Sequence, residues 1–133
     1  MAIDQIIYLT FEEALLIHIR LMNALGETRF GIDFRDLLDS ALMRPRNAAV
    51  YENADIIRQA ASLCFGLIKN HPWRGGNKRT ATTLMRRFLL LNGYERGWSV
   101  ADQIEMVLNV EADHWKVDEI ESWLRQRVKK INN

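Results

Sequence analysis

Apolar residues recur every three or four positions along most of the chain, which is the spacing that gathers side chains onto one face of a helix. The first such run follows Thr10, and Glu13 completes a capping box in which each side chain accepts a hydrogen bond from the other residue's backbone N–H. This helix is predicted to end near Gly26, and its apolar face consists of Phe11, Leu15, Leu16, Ile19 and Met22.

A second helix is predicted to start at Asp33, which is a favourable N-cap residue. Pro45 is expected to end it, because proline lacks a backbone N–H and disfavours the helical conformation of the residue before it. Residues 45–53 would then form a polar connection. The apolar face of this helix consists of Phe34, Leu37, Leu38, Ala41 and Leu42.

Two apolar patterns in the middle of the chain predict central helices. The first covers residues 54–70 with a broad apolar stripe. The second begins near Asn77 and ends at Asn92-Gly93, a pair typical of a left-handed helix cap. Their inward residues are expected to be Ile56, Ile57, Ala60, Ala61, Cys64, Leu67 and Ile68, followed by Ala81, Leu84, Met85, Phe88 and Leu91.

The C-terminal part predicts two further helices. Ser99 and Asp102 mark the start of one, and the last is expected over residues 117–131. Residues 6–9 and 94–98 fit short extended pieces. The inward residues of the fifth helix are expected to be Ile104, Val107 and Leu108.

These elements predict an all-α fold, a compact bundle of about six helices with at most a short β-hairpin or extended pieces. The composition, with 48% hydrophobic and 26% charged residues, fits one globular domain over residues 1–133. A net charge of +1 gives no overall basic field for nucleic acid, and no apolar run has the length of a membrane span. The single cysteine, Cys64, lies in an apolar run. We therefore expect a cytoplasmic protein with no direct nucleic-acid or membrane partner.

The joint between the central helices, HPWRGGNKRT at residues 71–80, concentrates polar and flexible residues. Lys78 and Arg79 fall in the first turn of a helix, where cations oppose the helix dipole. An anion bound between these cations and the free backbone N–H groups would explain that cost. His71, held near the same place by Pro72, could act as a general base for an attacking hydroxyl. This interpretation predicts a phosphate or nucleotide transferase; the alternative is a solvated loop with His71 as a helix cap.

Residues 71–79 also resemble the signature of the Fic/Doc (Fido) family, H-P-F-x-D/E-G/A-N-K/G-R. The similarity extends to GIDFRDLLDSALMRPR upstream and TATTLMRRFLLLNGY downstream, and it covers the chain from about Ile6 to the last helix. Lys78 stands where the AMP-transferring Fic enzymes have a second glycine, and Thr82 stands where they have a second arginine. Both positions look like the Doc (death-on-curing) toxin branch. In that branch the lysine fills part of the pocket that Fic enzymes use for the nucleotide, so ATP binds in the reverse orientation and its γ-phosphoryl group is transferred.

The resemblance implies roles for the residues of the joint. His71 would be the catalytic base, and Asn77 would position phosphates or metal. Lys78 and Arg79 would bind phosphates and stabilise the charge that develops in transfer. Gly76 would contribute a backbone donor at the head of the helix.

The resemblance also implies cofactors and partners. ATP would be the phosphoryl donor, and Mg²⁺ is expected with it. The substrate would be a threonine of elongation factor Tu, whose phosphorylation blocks translation. A small Phd-type antitoxin would neutralise the toxin by docking a helical segment near the site.

One position departs from the family pattern, since Gly75 stands where the family has the acid that holds Mg²⁺. The chain could be a degenerate member that binds nucleotide or antitoxin, an inactivated copy, or an enzyme whose metal ligand comes from another carboxylate. AMP transfer is a further alternative. Arg74, beside Gly75, and Arg44, at the expected cleft border, are additional candidates for phosphate contact, although Arg44 equally suits a solvated helix end.

Overall fold

The computed structural model describes residues 5–131, which fold into six helices and one short antiparallel strand pair. The predicted all-α bundle is therefore confirmed. In chain order the elements are α1 (Phe11–Ala24), α2 (Arg35–Glu52), α3 (Ile56–Asn70), α4 (Asn77–Leu91), β1 (Tyr94–Glu95), α5 (Val100–Glu111), α6 (Val117–Arg125) and β2 (Lys129–Lys130).

The centre of the bundle is α3, which packs against α2, α4 and α6. Asp55 caps it by accepting a hydrogen bond from the backbone N–H of Arg58. Most of α3 is buried, as its broad apolar stripe predicts. Because other helices hold α3 on three sides, the joint that follows it starts from a rigid residue.

The prediction that Pro45 ends the second helix is wrong, because α2 continues through Pro45 to Glu52. Pro45 is buried, and small residues on either side of it, Ala41 and Ala48, are buried too. This small-residue face lets α2 lie close to α3, and the packing outweighs the loss of one backbone hydrogen bond. The predicted polar connection at residues 45–53 is thus mainly helix.

The last helix is shorter than predicted, since α6 ends at Arg125 rather than continuing to residue 131. The following residues turn back, and Lys129–Lys130 pairs with Tyr94–Glu95 as β2 against β1. The predicted extended piece at residues 94–98 thus contributes a strand. The strand β1, which is distant in sequence, pairs with the residues after α6 and so determines where α6 ends. Local periodicity cannot reveal such a pairing.

Two of the three residues expected to face inward on α5 face outward instead. Ile104 and Leu108 are each 54% exposed, whereas Val107 is buried as predicted. The buried face of α5 consists of Met106, Val107 and Val110. The outer face therefore carries an apolar row, and part of it borders the site described below. No helix within residues 5–131 has both the length and the apolar character to cross a membrane.

Candidate active site

The joint between α3 and α4 has a backbone that reverses direction through left-handed conformations. His71 caps α3 with φ 47° and ψ 55°. Gly75 and Gly76 have φ values of 86° and 66°, and Gly76 is the N-cap of α4. Glycine adopts such angles without steric cost, whereas a side chain here is strained. The two glycines of the motif are therefore required by the path of the chain into α4.

A second segment, between α1 and α2, runs along the joint and holds its shape. Ile32 and Trp73 form an antiparallel bridge. The backbone N–H of Arg74 donates to the carbonyl of Gly31 at 2.7 Å, and the carbonyl of Pro72 accepts two further backbone N–H groups from the same segment. The joint is consequently a hydrogen-bonded unit and not a loose solvated loop.

A buried histidine on α1 supports the joint from below. The Trp73 ring is buried and stacks on His18 with 4.1 Å between ring centroids. His18 Nε2 accepts from the backbone N–H of Gly31 at 3.0 Å, so Nδ1 carries the proton and donates to Thr80 Oγ1 at 2.9 Å. Burial lowers the pKa of His18 to about 4, which keeps the ring neutral. His18 thus ties α1, the 29–34 segment and α4 together.

The side chain of Asn77 is committed to the joint itself. Its Oδ1 accepts from the backbone N–H of Trp73 at 2.9 Å, and its Nδ2 donates to the carbonyl of Trp73 at 2.9 Å. Both ends of the amide are therefore occupied within the described structure. Asn77 therefore shapes the joint, with one backbone partner at each end of its amide.

A cavity of about 510 Å³ opens at the start of α4. One part of its wall is mainly apolar and comes from α1 and α5. The other part comes from the joint and from residues 27–29 of the connection between α1 and α2. We call it the cationic cavity. Its described lining residues are Met22, Leu25, Glu27, Arg29, Gly75, Gly76, Asn77, Lys78, Arg79, Thr82, Gln103, Ile104, Val107 and Leu108.

Positive charge dominates the polar wall of the cationic cavity. Arg29, Lys78 and Arg79 line it, against a single lining carboxylate, Glu27. Among residues 5–131, no ion pair involves Arg29 or Arg79. Cations near the start of a helix that have no matching acid, as Arg29 and Arg79 do, are suited to binding an anion.

His71 and Lys78 both lie near the carboxylate of Glu111, a residue that no sequence motif marks. Glu111 Oε2 lies 3.2 Å from Lys78 Nζ, and Glu111 Oε1 lies 3.7 Å from His71 Nε2. Glu111 is the last residue of α5, so its approach depends on how α5 packs. The side chain of His71 is 55% exposed and is not among the lining residues of the cavity. The structure thus brings His71 and Lys78 together at Glu111, and Arg79 lines the same cavity as Lys78.

The two additional candidates for phosphate contact lie elsewhere. Arg44 packs in the α2–α3 interface, where its Nε donates to the carbonyl of Ser62 at 2.8 Å and its guanidinium covers the ring of Phe65. A side chain at Gly66 would collide with it. Burial lowers the pKa of Arg44. Arg44 therefore lies outside the described lining of the cationic cavity and fills the space beside a helical glycine.

Arg74 is also directed away from the cationic cavity. Its Nε donates to Asp33 Oδ1 at 2.9 Å, which fastens the joint to the start of α2. Asp33 was expected to cap α2, but the N-cap is Phe34 and makes no side-chain cap. The pair with Arg74 accounts for the use of the Asp33 carboxylate.

The donor groups around the cavity do not fit the Mg²⁺ of the family pattern. Gly75 has no side chain, each end of the Asn77 amide already has a backbone partner, and Glu111 is paired with Lys78. Glu27 is then the one carboxylate among the described lining residues. Within residues 5–131, no group of three or more His, Cys, Asp or Glu side chains could hold a metal ion. Magnesium prefers several hard oxygen ligands, usually including a carboxylate.

The fold and the joint define a helical domain with a cation-rich loop beside an exposed histidine. The sequence model of the Fic/DOC family matches residues 8–89, from the lead-in to α1 almost to the end of α4. The chain therefore belongs to the Fic/DOC family, as the motif indicated. Members of this family generally transfer nucleotide or phosphate groups to proteins. A search of curated proteins found no match to the chain.

Proposed function

We propose that this protein is a Doc-type toxin that transfers the γ-phosphoryl group of ATP to a protein hydroxyl, with a threonine of elongation factor Tu as the substrate. The observation that carries the proposal is the position of Lys78. Its ammonium group lies at the cationic cavity and shares the Glu111 carboxylate with His71. A phosphate held by Lys78 would consequently lie close to a candidate base.

The proposed reaction assigns one task to each part of the site. His71 accepts the proton of the substrate hydroxyl as its oxygen attacks the γ-phosphorus. The bond from that phosphorus to the β,γ-bridging oxygen breaks, and ADP leaves with the bonding electrons. Lys78 and Arg79 stabilise the negative charge on the phosphate oxygens, and the backbone N–H groups at the start of α4 contribute further donors.

The first experiment follows labelled phosphate from ATP to elongation factor Tu. We expect label from the γ position to appear on the factor, and the His71→Ala variant to lower the rate by about 10²-fold or more. His71 is largely exposed, so this variant should keep the unfolding transition of the wild type. His114→Ala, which removes another exposed histidine, is the matched control. Label arriving from the α position would instead identify an AMP transferase.

A Phd-type antitoxin is the proposed partner. The apolar row on α5, with Val100, Ile104 and Leu108 each more than half exposed, supports a helical segment docking beside the cationic cavity. A segment bound there would cover the cavity entrance. Ile104→Asp should weaken binding of the antitoxin by at least about tenfold, and equal binding would exclude this row as the docking surface.

The second candidate function is that of a binding module. It is favoured by one observation, which is that Gly75 offers no side chain where the family pattern has its carboxylate. In that case ATP would bind without any transfer of label to protein. The labelling experiment together with a calorimetric titration distinguishes the two functions.

A further inference from the structure

We propose that Arg29 takes the place of the carboxylate-held Mg²⁺ of the family pattern, so that this chain binds ATP through guanidinium and ammonium groups and without a metal. The inference rests on the proposed function, because it takes ATP as the ligand of the cationic cavity.

Arg29 occupies the surroundings into which a side chain at position 75 would extend. A Cβ atom built on Gly75 would lie 3.0 Å from the carbonyl oxygen of Arg29 and 4.0 Å from its Cγ. With φ at 86°, the backbone of Gly75 is also strained for any other residue. The family acid and Arg29 in its present position are therefore hard to accommodate together.

The position of Arg29 is fixed by its neighbours in the sequence. Two residues further on, Gly31 donates to His18 and accepts from Arg74, and Ile32 then bridges to Trp73. These contacts hold the 29–34 segment against the joint. Arg29 thus starts from a rigid backbone, which lowers the entropy lost when its side chain binds a ligand.

The charge of Arg29 is available for a ligand. It lines the same cavity as Lys78 and Arg79, and no ion pair engages it within the described part of the chain. A planar guanidinium makes two parallel hydrogen bonds to phosphate oxygens. Three cations around one cavity supply positive charge where the family pattern would use a metal.

The experiment is a calorimetric titration with ATP, in EDTA and in excess Mg²⁺. Wild-type protein should bind ATP in EDTA at least as tightly as in Mg²⁺. Arg29→Gln should weaken binding in EDTA by at least about tenfold, since it removes charge-assisted hydrogen bonds. Arg20→Gln, at an exposed position on α1 outside the cavity, is the control and should bind like wild type. Thermal unfolding checks that each variant is folded.

Three results would overturn the inference alone. They are ATP binding that requires Mg²⁺, unchanged affinity in Arg29→Gln, or a Mg²⁺-dependent gain that disappears in Glu27→Gln. The last result would mean that the lining carboxylate holds a metal. By contrast, wild-type protein that binds no ATP in either condition would overturn the proposed function together with the inference.

Discussion

Two regions of this protein concentrate charge, and they do so in opposite ways. In the ion-pair cluster, Arg58 contacts Glu52, Asp118 and Glu121, and Arg125 contacts Asp55 and Glu121. Every arginine of that cluster is matched by carboxylates from more than one element. In the cationic cavity, Arg29, Lys78 and Arg79 face a single lining acid.

The charges of the ion-pair cluster stabilise the fold, whereas those of the cationic cavity are largely available to bind a ligand. The ion-pair cluster joins the α2–α3 turn to α6, and its contacts explain why each side chain is there. The charges of the cationic cavity stabilise no contact of comparable extent within the described residues. Lys78 pairs with Glu111, but Arg29 and Arg79 have no ion-pair partner among the described residues. Cations at the start of a helix lower stability slightly, so a bound anion is the simplest physical reason for them.

The largest effect on stability is expected from a change of pH. The pKa of His18 is lowered by burial from 6.5 to about 4, so the unfolded chain binds more protons in this range. The unfolding free energy that neutral His18 contributes is fully present above pH 6.5, which is the pKa of this group in the unfolded chain. It is lost as the pH falls toward about 4, which is its pKa in the folded protein. The loss amounts to roughly 3 kcal/mol.

Urea unfolding across this pH range checks that prediction. His18→Gln cannot gain a charge and should show a shallower decline of unfolding free energy. The ion-pair cluster should respond only at lower pH: burial opposes the shift, but hydrogen bonds from the Arg58 backbone and the Arg125 side chain lower the pKa of Asp55 below 3.8. Equal pH slopes in wild type and variant would contradict the assignment of a neutral, buried His18.

Substitution of Gly75 tests the shape of the cationic cavity. Gly75→Ala and Gly75→Asp should each lower the unfolding free energy by about 1–3 kcal/mol, because of the positive φ and the nearby Arg29 carbonyl. Gly93→Ala is the matched control, since Gly93 has φ 97° but nothing within 4 Å of an added Cβ. It should cost less. A Gly75→Asp protein that is as stable as wild type and gains Mg²⁺-dependent ATP binding would identify an inactivated copy.

Removing the central cation of the ion-pair cluster should affect stability alone. Arg58→Gln leaves Glu52 and Asp118 without their partner and Glu121 with Arg125 alone, and we expect about 1–2 kcal/mol of destabilisation. The affinity for ATP should stay the same. Denaturant titration and calorimetry measure the two quantities, and a change in ATP affinity would show that the two charged regions are coupled.

The smallest expected effect concerns Glu111, which competes with phosphate for Lys78. Glu111→Gln should tighten ATP binding by about two- to fivefold, which matches the modest value of a half-exposed ion pair. Asp113→Asn removes a nearby acid that pairs with Lys69 and is the control for a general charge effect. An equal gain in both variants would mean that the Lys78 contact is not the cause.

Local signals predicted much of the helical framework. The capping box at Thr10 and Glu13 forms as expected, and Ser99 caps α5 by accepting from the N–H of Asp102. These features depend on residues three positions apart, so sequence contains the whole interaction. The motif at residues 71–79 likewise marked the joint between α3 and α4.

Contacts between distant segments could not be predicted in the same way. Pro45 stays within a helix because small residues pack α2 on α3. Arg29 reaches the site from the α1–α2 connection, and Glu111 reaches it from the end of α5. No local sequence pattern identifies either residue. Arg44 looked like a cation at a helix end, but the space above Gly66 determines its position. Tertiary packing decides each of these cases.

The most direct test compares two arginines on the same helix by calorimetric titration with ATP. Arg79 lines the cationic cavity at the start of α4, and Arg86, also exposed, lies two turns further on and outside the lining. We predict that Arg79→Gln weakens ATP binding by at least about tenfold, as expected for a lost charge-assisted hydrogen bond, and that Arg86→Gln binds like wild type. Equal affinities for both variants, or no ATP binding by the wild type, would contradict the account.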